Sequence, residues 1–111
     1  MLRSFLPRWL VLLALALSGS ALAQSPITLK VHHFLPPGST THAKMLVPWC
    51  ERIEKESAGR LKCQLYPSMQ LGGTAPQLFD QARDGVVDIV WTLPGNTAGR
   101  FPRIEVFELP F

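Results

Sequence analysis

Several signatures that would point to chemistry are missing from this 111-residue chain. Cysteine is scarce: Cys50 and Cys63 are the only two, and no Cys-x-x-Cys occurs, so thioredoxin-like dithiol exchange has no basis. Neither Gly-x-Ser-x-Gly nor His-Glu-x-x-His is present, which removes the hydrolase elbow and the zinc-protease helix. Acidic neighbours such as Glu54 and Glu56 read as a solvated helix face, and no convergent acid–base pair stands out. Gly72-Gly73 precedes a predicted helix, but the P-loop lysine and the full dinucleotide fingerprint are absent, so it reads as a turn and cap. Lys and Arg form no stripe interleaved with aromatics, so nucleic acid is not an expected partner. There is no internal repeat and no low-complexity tract. Of the three histidines, His32 and His33 are adjacent on a predicted strand and point to opposite faces. No acidic or cysteine ligand stands at a zinc spacing from them or from His42. They read as surface or loop-packing histidines, and neither a metal nor any other cofactor is expected.

The chain begins with an export signal. Arg3 and Arg8 form a short basic region, Trp9–Leu17 is a nine-residue apolar run, and Ala21-Leu22-Ala23 is a small-x-small cleavage site before Gln24. The run falls well short of the about 20 residues that a membrane-crossing helix needs. No cysteine marks a lipid anchor and no Arg-Arg pair marks a twin-arginine route. Residues 1–23 are therefore expected to be a signal peptide, and residues 24–111 to reach the periplasm. Without Arg3 and Arg8, nine cations face eight acids and the net charge falls from +3 to +1.

Periodicity predicts β-α-β-α-β. Ile27, Leu29, Val31 and His33 alternate as in a strand. Leu35-Pro-Pro-Gly-Ser-Thr-Thr41 breaks it, with Thr41 as the expected N-cap. Ala43, Leu46, Val47, Cys50 and Ile53 then form one apolar helix face, kinked by Pro48 and stopped at Gly59. Leu61, Cys63 and Leu65 alternate in a second strand that Pro67 ends. Thr74-x-x-Gln77 matches a capping box ahead of a second helix carrying Leu78, Phe79 and Ala82. Val86–Trp91 is a near-continuous apolar run, as in a parallel strand buried on both faces. Ligands of such folds bind beyond the carboxyl ends of the strands. The segments leaving those ends are Phe34 to Thr41 and Thr92 to Gly99. Trp91 reads either as a core aromatic or as a pocket wall. Cys50 and Cys63 both take core-facing positions in a chain bound for an oxidising compartment. A disulfide and a pair of buried thiols both remain open.

The residues now resemble a known family. Gly59-Arg-Leu-Lys-x-x-Leu-Tyr-Pro-Ser-x-Gln-Leu-Gly72, Gly85-Val-Val-Asp-Ile89 and Gly99-Arg-Phe-Pro-x-x-Glu-Val-Phe-Glu-Leu-Pro-Phe111 occur in order and at matching spacing. From Leu29 to Phe111 the chain resembles the N-terminal part of a solute-binding protein of the tripartite ATP-independent periplasmic (TRAP) transporters, of the DctP type. The resemblance implies two α/β lobes that close on a small organic acid. It implies delivery of that ligand to a permease of one small and one large membrane subunit, driven by an ion gradient, and no catalysis. Residues 24–111 would be a partial first lobe. The family's carboxylate-clamping arginine would lie beyond Phe111. By position, the first-lobe ligand contacts map to Phe34, Trp91, Leu93 and Asn96. Some relatives that bind sialic acid carry polar residues at the places of Phe34 and Leu93, so the resemblance implies that the apolar pair here favours a carboxylate with an apolar or aromatic body.

The chain stops on Leu109-Pro-Phe111 without a polar tail, and is expected to be the front part of a longer exported protein. The rival readings are a small secreted enzyme, which lacks a nucleophile and a base, a stand-alone exported interaction module, and a non-functional gene remnant.

Overall fold

A computed structural model of the chain describes residues 25–110, so the signal segment expected over residues 1–23 lies outside the described residues. Three parallel strands form a sheet in the order β2-β1-β3, where β1 is Ile27–His33, β2 is Leu61–Tyr66 and β3 is Ile89–Trp91. β1 pairs with β2 from Ile27 opposite Leu61 to His32 opposite Tyr66, and with β3 from Val31 opposite Ile89 to His33 opposite Trp91. Helices α1 (Val47–Glu56) and α2 (Leu78–Arg83) are the crossovers. They cover opposite faces of β1. Cys50 of α1 is disulfide-bonded to Cys63, which faces Leu29, and Gln81 of α2 reaches His32 on the other face. Val31, Leu46, Cys50, Leu78 and Val87 are the buried hydrophobic core. No helix among the described residues is long and apolar enough to cross a membrane.

The entry to α1 departs from the expected pattern. Thr41 already has helical backbone angles and makes no capping bond. Ser39 takes the role instead: its Oγ accepts from the His42 N–H at 3.2 Å, and its carbonyl accepts from Ala43. Pro48 lacks the N–H that would bond back to Lys44. The chain absorbs this one turn earlier, in a π-helical turn over His42–Leu46, where the Val47 N–H bonds to the His42 carbonyl five residues back. The wider winding changes which side chains face the sheet. Ala43, expected inside, is exposed, whereas His42 is half-buried against β1.

β3 is shorter than the apolar run suggests. Val86 and Val87 donate to the Gln81 carbonyl and stay tied to α2, and Asp88 receives the Lys30 N–H on its side chain at 2.8 Å. The Asp88 N–H already bonds to the Lys30 carbonyl at 3.1 Å, and the paired register runs from Ile89. Its three residues are half-buried rather than enclosed on both faces.

The stops are where the residues placed them. Gly59 (φ +75°) closes α1 with its N–H on the Glu54 carbonyl, and Ala58 shares the left-handed region. Before α2, Gln77 Oε1 accepts the Thr74 N–H at 2.8 Å. Gly73 (φ +86°) lies under this turn. A Cβ there would come within 2.8 Å of Gln81 Nε2, so a side chain would push the Gln81 amide aside as well as strain the left-handed backbone.

Candidate ligand-binding site

The carboxyl ends of β1 and β3 put Phe34 and Trp91 side by side. Their rings lie 5.5 Å apart and are tilted by 41°, and both residues are half-buried. Two aromatic rings so placed present an apolar wall at the end of the sheet. The sequence places these two 57 positions apart. Parallel pairing of His33 with Trp91 is what joins them.

Leu93 and Asn96 line other walls. Leu93 is exposed and borders an apolar cavity of about 260 Å³ with Phe79, Pro94, Phe101 and Ile104, whose walls do not include Phe34 or Trp91. Asn96 donates from Nδ2 to Thr92 Oγ1 at 3.1 Å and lines a cavity of about 380 Å³ between its loop and α2. The structure thus gathers Phe34 and Trp91, and sets Leu93 and Asn96 on the loop beyond β3. Another cavity, of about 290 Å³, opens between Ile27, Ser57, Arg60 and Leu61 at the amino ends of β1 and β2. Ligands of parallel α/β sheets bind at the opposite end.

Three polar groupings around the mouth are not apparent from sequence. Arg100 makes a bidentate bond to Asp80, at 2.6 and 2.9 Å, while its guanidinium lies 4.9 Å from the Phe79 ring centre. The Arg100 hydrogen bond, aided by the charges of Arg100 and Arg83, holds the Asp80 carboxyl below the usual range against a smaller opposing effect of desolvation. Arg100 is therefore engaged, and its fork is not turned toward a ligand.

His32 and His33 are both fully buried, not surface residues. Gln81 donates from Nε2 to the Gly72 carbonyl, so its Oε1 accepts from His32 Nδ1 at 2.6 Å. His32 Nε2 in turn accepts the Leu71 N–H at 3.4 Å. Both partners fix His32 as the Nδ1–H tautomer, which ties the Gly72 turn and α2 to β1.

On the other face, His33 Nε2 meets His42 Nδ1 at 2.9 Å, and His33 Nδ1 is buried without a hydrogen bond. His33 is held below the ordinary imidazole value by burial first, then by charge on His42 and on His32, with the Leu35 backbone opposing. The unfolded chain therefore takes up this proton at a higher pH than the folded one. The stabilisation is present above about 6.5 and is lost as the pH falls through the lower folded value. Urea midpoints are expected to hold steady near neutrality and decline in acid, with a shallower decline in His33→Gln. An identical slope in that variant would assign the acid sensitivity to other groups.

Residues 31–111 match the family of bacterial extracellular solute-binding proteins, family 7, DctP. Among solved structures, a TRAP solute-binding protein from Rhodoferax ferrireducens, in complex with copurified benzoate, is 60% identical with a TM-score of 0.73, over 77% of this chain and 26% of that one. A marine metagenome TRAP solute-binding protein specific for aromatic acid ligands, co-crystallised with 3-hydroxybenzoate, is 54% identical with a TM-score of 0.75, over 78% of this chain and 27% of that one. The sialic acid-binding periplasmic protein SiaP of Vibrio cholerae is 35% identical over 99 residues, 87% of this chain and 30% of its own length. The chain therefore spans less than a third of the length of these relatives.

Proposed function

The chain belongs to family 7 of the bacterial extracellular solute-binding proteins, and from that premise we propose that it supplies first-lobe contacts of a periplasmic receptor for an aromatic carboxylate. The observation that carries this reading is the Phe34–Trp91 wall at the mouth of the parallel sheet. A flat ring stacks on such a wall, whereas a polyhydroxylated sugar acid would leave its hydroxyls facing carbon and lose their hydrogen bonds. The ligands bound by the Rhodoferax and marine relatives, benzoate and 3-hydroxybenzoate, have that shape. Leu93 and Asn96, on the loop beyond β3, are the further first-lobe contacts of this reading. In this reading residues 24–111 are a partial first lobe, and the carboxylate is held by an arginine outside them, as the family resemblance implies; Arg100 is paired to Asp80. Residues 1–23 direct export and are removed. The loaded receptor hands its ligand to a permease of small and large membrane subunits and carries out no reaction itself.

Calorimetry on the full-length protein tests the reading with benzoate, 3-hydroxybenzoate, acetate and sialic acid. Benzoate and 3-hydroxybenzoate are expected to bind with Kd values at least about tenfold below that of acetate, and sialic acid to give no heat. Saturable binding of sialic acid with none of benzoate would overturn it.

A further inference from the structure

The contact between His33 and His42 does more than fill space. It spans the segment that leaves β1. His33 is the last residue of that strand, Phe34 follows directly, and His42 opens the helical segment on the far side of the loop. Within the loop, the Ser39 N–H bonds to the Pro36 carbonyl, and Ser39 in turn caps His42. The base is held by Ser68 and Met69, whose N–H groups donate to the carbonyls of Leu35 and His33. The two imidazoles are a side-chain link between the loop's two ends, and Phe34, the residue directly after His33, has its ring against Trp91.

Two ring nitrogens 2.9 Å apart have room for one proton between them. One ring donates and the other accepts, so the contact survives with the pair neutral or carrying one charge. If both rings were fully protonated, two N–H groups would face each other, and the contact would have to open. The groups acting on His33 by charge are His42 from the helical segment and His32 from its own strand. β2 and β3 set Tyr66 opposite His32 and Trp91 opposite His33, and neither of these residues brings a carboxylate or an ammonium that would offset a second proton.

We propose that the His33–His42 pair is a latch of two positioning residues that holds Phe34 against Trp91 and releases in acid, so that capture of an aromatic carboxylate weakens as the pH falls. The proposal rests on the aromatic-acid reading for its ligand, but not for its mechanics.

The test uses the full-length protein, benzoate as the probe, and two substitutions at His42. Asparagine places a non-titrating amide near the position of Nδ1 and can still bond to His33 Nε2, whereas alanine cannot. For the unaltered protein, benzoate affinity is expected to drop roughly tenfold from about pH 7.5 to well below the ordinary imidazole value of about 6.5, where the pair takes its second proton, a drop the size of a lost apolar contact in a pocket. His42→Asn is expected to keep the neutral-pH affinity and lose the pH dependence. His42→Ala is expected to bind weakly at both pH values. A flat profile in the unaltered protein, tighter binding in acid, or an undiminished slope in His42→Asn would overturn the latch.

The indole N–H resonance of Trp91, followed by NMR without ligand, separates this proposal from the functional reading. If benzoate binds at no pH, the aromatic-acid reading fails while the latch is still decided by that signal. A shift in acid that disappears in His42→Asn supports it, and a shift that persists, or no shift at all, overturns it.

Discussion

Replacing Trp91 with alanine is expected to weaken benzoate binding by about 1–3 kcal/mol, roughly 10- to 200-fold, while leaving acetate nearly unchanged. The same direction is expected for Phe34→Asn, which puts a polar amide where the ligand ring would stack. The physical ground is that each aromatic acts only on a ligand body large enough to reach it. Acetate has no such body and depends on its charge. Since the rings lie 5.5 Å apart, the two losses should not add: removing one ring also removes the support of the other. Titration calorimetry on both single variants and the double variant measures this directly. An equal loss for every acid would reassign the pair to packing. No loss, with the fold intact, would place the ligand elsewhere.

Removing the Cys50–Cys63 bridge is expected to lower folding stability by about 3 kcal/mol. The bridged residues are 13 positions apart and hold Cα atoms 5.5 Å from each other, joining the buried face of α1 to β2. The stabilisation comes mainly from the unfolded chain, which is denied the freedom of that loop. Guanidinium titration of the Cys50→Ala/Cys63→Ala protein against the oxidised form reads the difference. Iodoacetamide labelling of the unfolded, unreduced protein should modify neither thiol. Labelling of both would show that no bridge forms. A loss below about 1 kcal/mol would mean that the α1–β2 turn already constrains the unfolded chain.

Much of the frame is legible in the residues, because periodicity and punctuation are local. The alternation from Ile27 to His33 gives β1, Gly59 gives the stop of α1, and Thr74 with Gln77 gives the start of α2. The failures share a cause as well. Thr41 and Ser39 are equally good capping residues, and backbone angles decide between them. Val86 and Val87 have strand-like side chains but bond to the Gln81 carbonyl, a tertiary choice that a hydrophobic pattern does not encode. Around the mouth, Phe34 and Trp91 could be located by the rule that ligands gather at strand ends. Loop residues such as Leu93 and Asn96 obey no period, so position alone does not say which wall they line. Arg100 meets Asp80 across 20 positions, and His33 meets His42 across a turn whose winding is irregular. Neither contact leaves a trace in spacing.

That irregular winding works like a vernier between two parts of the molecule. One extra residue in a helical turn rotates everything ahead of it by about 100° relative to everything behind it. Leu46 and Cys50, behind the slip, stay in phase with the sheet and are buried. His42, ahead of it, is brought round to His33 in the place that Ala43 would otherwise take. The docking of α1 and the approach of His42 to the end of β1 are thereby offset in phase by one residue. Pro48, which reads in isolation as a defect in a helix, is thus accommodated by the same slip that brings His42 to His33.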